Sequence, residues 1–139
     1  MQSNAILLPA LIQALLTLFL YAALAVAKDK AMQAGLVDLE RRALHDDAWP
    51  ESVMKINNNI RNQFELPVLF YALTIVLWQL HETGLLAQSL AWLFVASRIV
   101  HVYIHVGANY VPARRRVFTF GWVILLAMAL LAAWTALAR

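Results

Sequence analysis

Four apolar segments divide this chain, and each is close to the length that crosses a lipid bilayer. A helix needs about 20 mainly apolar residues to span a hydrocarbon core of about 30 Å. The segments cover residues 5–27, 56–80, 85–107 and 117–138, with 28–55 as the longest connection. Because 63% of the 139 residues are hydrophobic, a soluble domain of this size could not bury them all. We predict an all-α integral membrane four-helix bundle that forms a single domain over residues 1–139.

The first apolar segment has to be distinguished from a secretory signal peptide, because Ala25-Val26-Ala27 resembles a cleavage site. The preceding residues, Met1–Asn4, contain no Lys or Arg. The apolar run also exceeds the roughly 7–15 residues of a signal-peptide core. We expect this segment to be retained as a transmembrane helix.

The net charge of +3 is distributed as membrane topology requires, and we expect no nucleic-acid partner. Two connections hold most of the cations: Lys28, Lys30, Arg41, Arg42 and Lys55 in the first, and Arg114, Arg115 and Arg116 in the third. The turn at 81–84 has none, and Arg139 follows the last segment. The positive-inside rule therefore places both termini away from the cytoplasm. Within the first connection we expect Val37–Leu44 to form a short surface helix.

Polar side chains inside the second and third segments are the strongest indication of function. A charge at the bilayer centre costs about 2.5–3.5 kcal/mol on insertion scales, so it normally faces protein or water. At 100° per residue, each segment gathers its polar residues on one helix face. These residues are Asn58, Arg61, Asn62 and Glu65 on the second segment, and Arg98, His101 and His105 on the third. We expect nothing comparable in the first and fourth segments.

The depths of these residues predict which of them meet. Counting ~1.5 Å per residue from the cytoplasmic ends, Glu65 and Arg98 both lie about 14 Å deep. Asn62 and His101 both lie about 9 Å deep. Antiparallel packing would therefore pair Glu65 with Arg98 and bring Asn62 level with His101.

Three interpretations of this polar set are possible. A structural clamp would need only the Glu65–Arg98 pair, with Arg61 extending to the headgroups. His101 and His105 could bind a metal, but neighbouring arginines disfavour a divalent cation, so we predict no metal site. A polar cavity accounts for the whole set better, and its cations favour a ligand that carries carboxylates. Since the chain has no cysteine, any thiol chemistry requires a thiol on the ligand.

Two motifs resemble the signatures of the MAPEG family, the membrane-associated proteins in eicosanoid and glutathione metabolism. The segment Asn62-Gln63-Phe64-Glu65-Leu66-Pro67 resembles its Asn-x-x-Glu signature. Arg98-x-x-His101 followed by Pro112-Ala113-Arg114 is similar to its second signature. The four-span layout and the long first connection also fit.

The resemblance implies a homotrimer in a bacterial inner membrane, with both termini periplasmic and glutathione bound between subunits. Asn62 and Glu65 would hold the glutathione backbone and amino group, with Arg98 and His101 lining the site. Asn58 stands where many members carry an arginine, for which Arg61 could substitute in binding. Arg114 would stabilise the thiolate, and His105, which replaces a tyrosine of the family's prostaglandin synthases, could donate a hydrogen bond to it.

These features predict a glutathione-dependent transferase or peroxidase that acts on an apolar electrophile or lipid hydroperoxide reached from the membrane lipids. The tyrosine-to-His105 difference, with Arg115 in place of a serine of the prostaglandin synthases, argues against eicosanoid synthesis. The alternative is a non-catalytic lipid- or partner-binding membrane protein of the same fold, which would need no thiol activation.

Overall fold

The computed structural model describes residues 3–138. Met1, Gln2 and Arg139, which was counted in the positive-inside argument, lie outside the described part. The described residues form five α-helices with two short 3-10 turns, at Asn4–Ile6 and Asp46–Ala48. The helices are α1 (Leu7–Gln33), α2 (Glu51–Gln63), α3 (Leu66–Gln79), α4 (Leu85–Val106) and α5 (Val111–Leu137). No strand occurs in this part of the chain, which confirms the all-α fold class.

Three helical stretches are long and apolar enough to cross a membrane: Asn4–Gln33, Leu85–Val106 and Val111–Leu137. Leu85–Val106 matches the predicted segment 85–107, whereas the first stretch continues six residues beyond 5–27 and the last begins six residues before 117–138. The apolar helices confirm an integral membrane protein. The remaining arm of the bundle consists of α2 and α3, which follow one another along α1.

The expectation of one continuous second helix is wrong, because the chain breaks at Phe64-Glu65. Pro67 causes the break: its ring clashes with the carbonyl four residues back, on Gln63, and it has no N–H to donate there. Glu65 instead caps α3 with non-helical angles of φ −99° and ψ −106°. Alone, α3 is only about 21 Å long. Glu65 therefore leaves the helical face that it would share with Asn62 in an unbroken helix.

Hydrogen bonds at the two ends of the bundle show how the connections are grouped. At one end, the N–H of Ser3 donates to Thr83 Oγ1 at 3.1 Å, which ties the start of the chain to the α3–α4 turn. At the other end, Lys55 Nζ donates to the Gly107 carbonyl at 3.4 Å. The two cation-bearing connections therefore lie together at this second end, which we call the basic end.

The closest helix pair is α4 with α5, which pack around a small residue. A Cβ added at Gly121 would lie 3.2 Å from Ser97 Oγ, so a glycine allows this approach. Phe94 on the same face of α4 stacks on Phe70 of α3, with ring centroids 4.5 Å apart. This contact fixes the rotation of α4, and so directs its polar residues toward α2 and α5.

The expected surface helix at Val37–Leu44 does not form; this stretch consists of successive turns. Asp38 caps a single helical turn that does not continue: its Oδ1 accepts the N–H groups of Glu40 and Arg41, and its carbonyl accepts the N–H of Arg42 at 3.0 Å. The N–H of Asp38 donates to the Ala48 carbonyl at 3.0 Å and closes the loop on itself.

Candidate functional site

A cavity of about 280 Å³ opens at the basic end between α2, α4 and α5. The polar part of its wall comes from all three helices, with Val111 and Phe118 as the apolar part. The polar lining residues are Asn62, His101, Arg114 and Arg115. The structure thus joins residues of both motifs in one cavity.

Arg98 lies behind this cavity and is only 1% exposed. Its Nη2 donates to the Asn62 carbonyl at 3.4 Å, a long hydrogen bond. Its Nε and Nη1 have no hydrogen-bond partner among the described residues. A buried guanidinium with two open donors is costly unless an acceptor reaches it.

The predicted salt bridge between Glu65 and Arg98 is not among the ion pairs of residues 3–138. Glu65 is exposed on the surface of the single chain. The break at Phe64-Glu65 accounts for the difference, since it turns Glu65 out of the helical register. Asn62 therefore takes the position facing Arg98.

The two histidines of α4 are buried and stand edge to face, with ring centroids 5.5 Å apart. His105 Nδ1 lies 3.2 Å from the Asn62 side-chain amide nitrogen. Since that nitrogen can only donate, Nδ1 accepts and the ring proton belongs on Nε2. His101 Nδ1 is buried without a partner among the described residues. Within those residues, no three His, Asp or Glu side chains converge as metal ligands.

Arg114 is positioned by the tight turn between α4 and α5. Asn109 adopts a left-handed conformation there, with φ 51°, which asparagine tolerates better than most residues. Its Oδ1 accepts a 2.7 Å hydrogen bond from Arg114 Nη1. Arg114 and His101 line the same cavity, so the cation faces the space in front of that imidazole. Sequence reasoning missed Asn109.

Asn58 and Arg61 do not line this cavity in the single chain. Both are exposed, and Arg61 Nη1 donates to Asn58 Oδ1 at 3.4 Å. Arg61 Nη2 forms an ion pair with Asp46 of the first connection. These two residues and Glu65 stay predicted ligand-binding residues on an outward surface.

Sequence reasoning also missed Gln13 of α1, where nothing polar was expected to matter. Gln13 is fully buried, and its Nε2 donates to Gln63 Oε1 at 2.8 Å. Gln63 Nε2 donates in turn to Asn59 Oδ1 at 3.0 Å. This amide ladder ties the end of α2 to α1 directly before the break. A single Gln inside an otherwise apolar run is the signal that could have revealed it.

This fold and this site define a class of protein. It is an integral membrane helical bundle with an arginine-rich, amide-lined cavity at one end. The chain belongs to the MAPEG family, whose family model matches residues 6–134. The match includes both motifs and confirms the resemblance predicted from them. No curated protein and no solved structure matches the chain significantly.

Proposed function

We propose that the protein binds glutathione in this cavity and either conjugates glutathione through its sulfur to lipophilic electrophiles or uses glutathione to reduce lipid hydroperoxides. The observation that carries the proposal is Arg98, 1% exposed with Nε and Nη1 unpartnered. These donors need an anionic acceptor, and a peptide with two carboxylates supplies one. Membership of the MAPEG family, which includes glutathione transferases, supports the choice of ligand.

The proposed roles follow from the positions of the side chains. Arg98, His101 and the Asn62 amide bind the polar parts of the ligand. Arg114 holds the sulfur as thiolate, because a cation beside sulfur favours the anion. His105 assists at the same sulfur: with its proton on Nε2, it donates a hydrogen bond from that atom.

The exposed ligand residues support a homotrimeric working form with the ligand between subunits. Asn58, Arg61 and Glu65 are polar and exposed in one chain, and Glu65 directly precedes the apolar helix α3. Polar groups at membrane depth normally face protein or water. In our proposal they complete the glutathione site from the subunit boundary, with Glu65 binding the amino group.

The chemistry requires little from the protein beyond binding and thiolate stabilisation. In transfer, the thiol loses its proton to water, sulfur forms a bond to the electrophilic carbon, and the leaving group departs with its electron pair. In peroxide reduction, two glutathione molecules are oxidised to the disulfide while the hydroperoxide becomes an alcohol and water. The electrophile enters from the lipid side.

We place the basic end in the cytoplasm of a bacterium, with both termini periplasmic in the inner membrane. The grouping of the two cation-bearing connections at one end supports this orientation, because positively charged connections stay cytoplasmic. Glutathione is then taken from the cytoplasm.

The first experiment is calorimetric titration of the detergent-purified protein with glutathione. We expect saturable binding that Arg98→Met weakens at least 10-fold, while the thermal midpoint stays equal or rises because a buried unpaired charge has been removed. Arg114→Gln should retain binding but lose the ultraviolet absorbance of bound thiolate and about 10²-fold in kcat with an aryl halide. Circular dichroism of each variant controls for folding.

Each contrary result has a definite meaning. A folded wild-type protein that does not bind glutathione overturns the proposal. Binding without thiolate absorbance or turnover of any electrophile overturns the catalytic part and leaves the non-catalytic binding protein. Equal thiolate absorbance in wild type and Arg114→Gln would remove Arg114 from its assigned role.

A further inference from the structure

A second polar pocket, of about 300 Å³, lies at the basic end between the first connection and the start of α2. It is separate from the candidate glutathione cavity, since the two share no lining residue. Its polar wall is formed by Lys28, Arg42, Asp46, Trp49, Asn57 and Arg61. Three cations therefore face one carboxylate.

The single carboxylate in this pocket is already occupied. Asp46 pairs with Arg61 Nη2 and accepts a 3.4 Å hydrogen bond from Asn57 Nδ2. Within residues 3–138, neither Lys28 nor Arg42 has a carboxylate within salt-bridge distance. The pocket therefore keeps two positive charges that the described chain does not neutralise.

These two cations are held in place by contacts with one aromatic ring and its neighbours. Lys28 Nζ lies 4.8 Å from the centroid of the Trp49 ring. Trp49 Nε1 donates to the Arg42 carbonyl at 3.3 Å. Arg41 pairs with Asp47 at 2.8 Å, and their hydrogen bond lowers the pKa of that carboxyl. Arg42 Nη1 donates to Met32 Sδ at 3.3 Å, so Lys28 and Arg42 both line the pocket with uncharged partners.

The pocket lies where the apolar part of α1 ends, since Lys28 directly follows the segment 5–27. Its floor contains Val53, which is 1% exposed, and the half-buried Met54. Trp beside a cluster of Lys and Arg is typical of the boundary between hydrocarbon and headgroups. A ligand here would meet a mainly polar surface that carries three cations.

We propose that this pocket binds the phosphate of an anionic phospholipid headgroup. Basic pockets between transmembrane helices at this depth bind such headgroups by charge-assisted hydrogen bonds. Lys28 and Arg42 bind the phosphate, and Asn57 donates to the headgroup. Asp46 opposes binding, because it lies in the same pocket and holds Arg61 away from the phosphate. Lys28 and Arg42, which carry the assignment, have no role in the proposed glutathione site, although Arg61 lines this pocket and is also assigned to that site.

The test is titration of the purified full-length protein with short-chain phosphatidylglycerol, followed by native mass spectrometry and calorimetry. We expect one bound lipid per chain, bound at least 10-fold more tightly than phosphatidylcholine of the same chain length. Lys28→Gln and Arg42→Gln should each weaken binding about 10-fold. Asp46→Asn should strengthen it, since Arg61 is then released toward the phosphate.

Lys30→Gln is the matched control, because it removes the same charge two residues from Lys28 but lies outside the pocket. We expect it to change affinity less than twofold. Equal losses in Lys30→Gln and Lys28→Gln, or equal affinity for the two lipids, would overturn the proposal by showing a non-specific effect. Inorganic phosphate that binds as tightly as the lipid would overturn the lipid assignment and identify a free-phosphate site.

Discussion

At the scale of single residues, the candidate site contains buried polar side chains whose hydrogen bonding is incomplete. Arg98 is retained in the core although, among residues 3–138, only the Asn62 carbonyl accepts from it. His101 likewise keeps an unpartnered Nδ1 among the described residues. In our proposal the ligand completes the hydrogen bonding of these two residues.

Asn109 carries a residue-scale prediction, because it supplies both the left-handed turn and the contact to Arg114. In Asn109→Gly the backbone conformation is kept but the Oδ1 acceptor is lost, so we expect unchanged stability and a several-fold lower kcat. Asn109→Ala removes the acceptor and adds about 1 kcal/mol of backbone strain. Thermal unfolding and transferase assays on the pair separate the two effects. Equal kcat in wild type and Asn109→Gly would show that Arg114 needs no such support.

At the scale of elements, the break between α2 and α3 decides which residues face the cavity. Pro67 ends α2 at Gln63, and the ladder of Gln13, Gln63 and Asn59 holds that end against α1. The ladder is fully buried, so its amides cannot exchange their bonds with solvent. Asn62 is adjacent to Gln63 and is therefore presented to α4 by a fixed helix end.

Gln13→Leu tests this link between the ladder and the site. Loss of one interhelical hydrogen bond should cost roughly 1 kcal/mol of stability, and we expect glutathione affinity to fall several-fold because Asn62 shifts. Leu77→Ala is the control, since Leu77 is a fully buried residue of α3 that packs in a different hydrophobic cluster from the one that joins α1 to α2. It should destabilise the protein at least as much and leave affinity unchanged. If both variants lost glutathione affinity to the same extent, Gln13 would affect the site only through packing.

At the scale of the whole molecule, the single chain leaves polar side chains of one arm exposed. Asn58 and Glu65 lie on this surface, together with Arg61, whose charge Asp46 partly neutralises. Exposed apolar residues are ordinary on a chain in lipid, but exposed polar ones at this depth need protein or water. A neighbouring subunit would satisfy them.

The expected assembly is a homotrimer of 15.7 kDa subunits, measurable by light scattering corrected for detergent. Because the chain has no cysteine, Asn58→Cys introduces a single thiol per subunit, and a bifunctional thiol reagent with an arm longer than a disulfide should join neighbouring arms into covalent dimers and trimers. The wild-type protein is the control without a thiol. A monodisperse monomer that binds glutathione fully would contradict the assembly.

The sequence by itself determined the fold class and three of the apolar helices, and its two motifs contain Asn62, His101 and Arg114, which line one cavity. It could do so because charged and amide side chains are costly in apolar segments, and few arrangements accommodate them. The break at Glu65, the ladder from Gln13 and the outward position of Arg61 were decided only by the tertiary structure. These features depend on helix rotation and on partners distant in the chain. Helix faces toward lipid and toward protein are equally apolar, so hydrophobic periodicity does not predict how each helix is rotated.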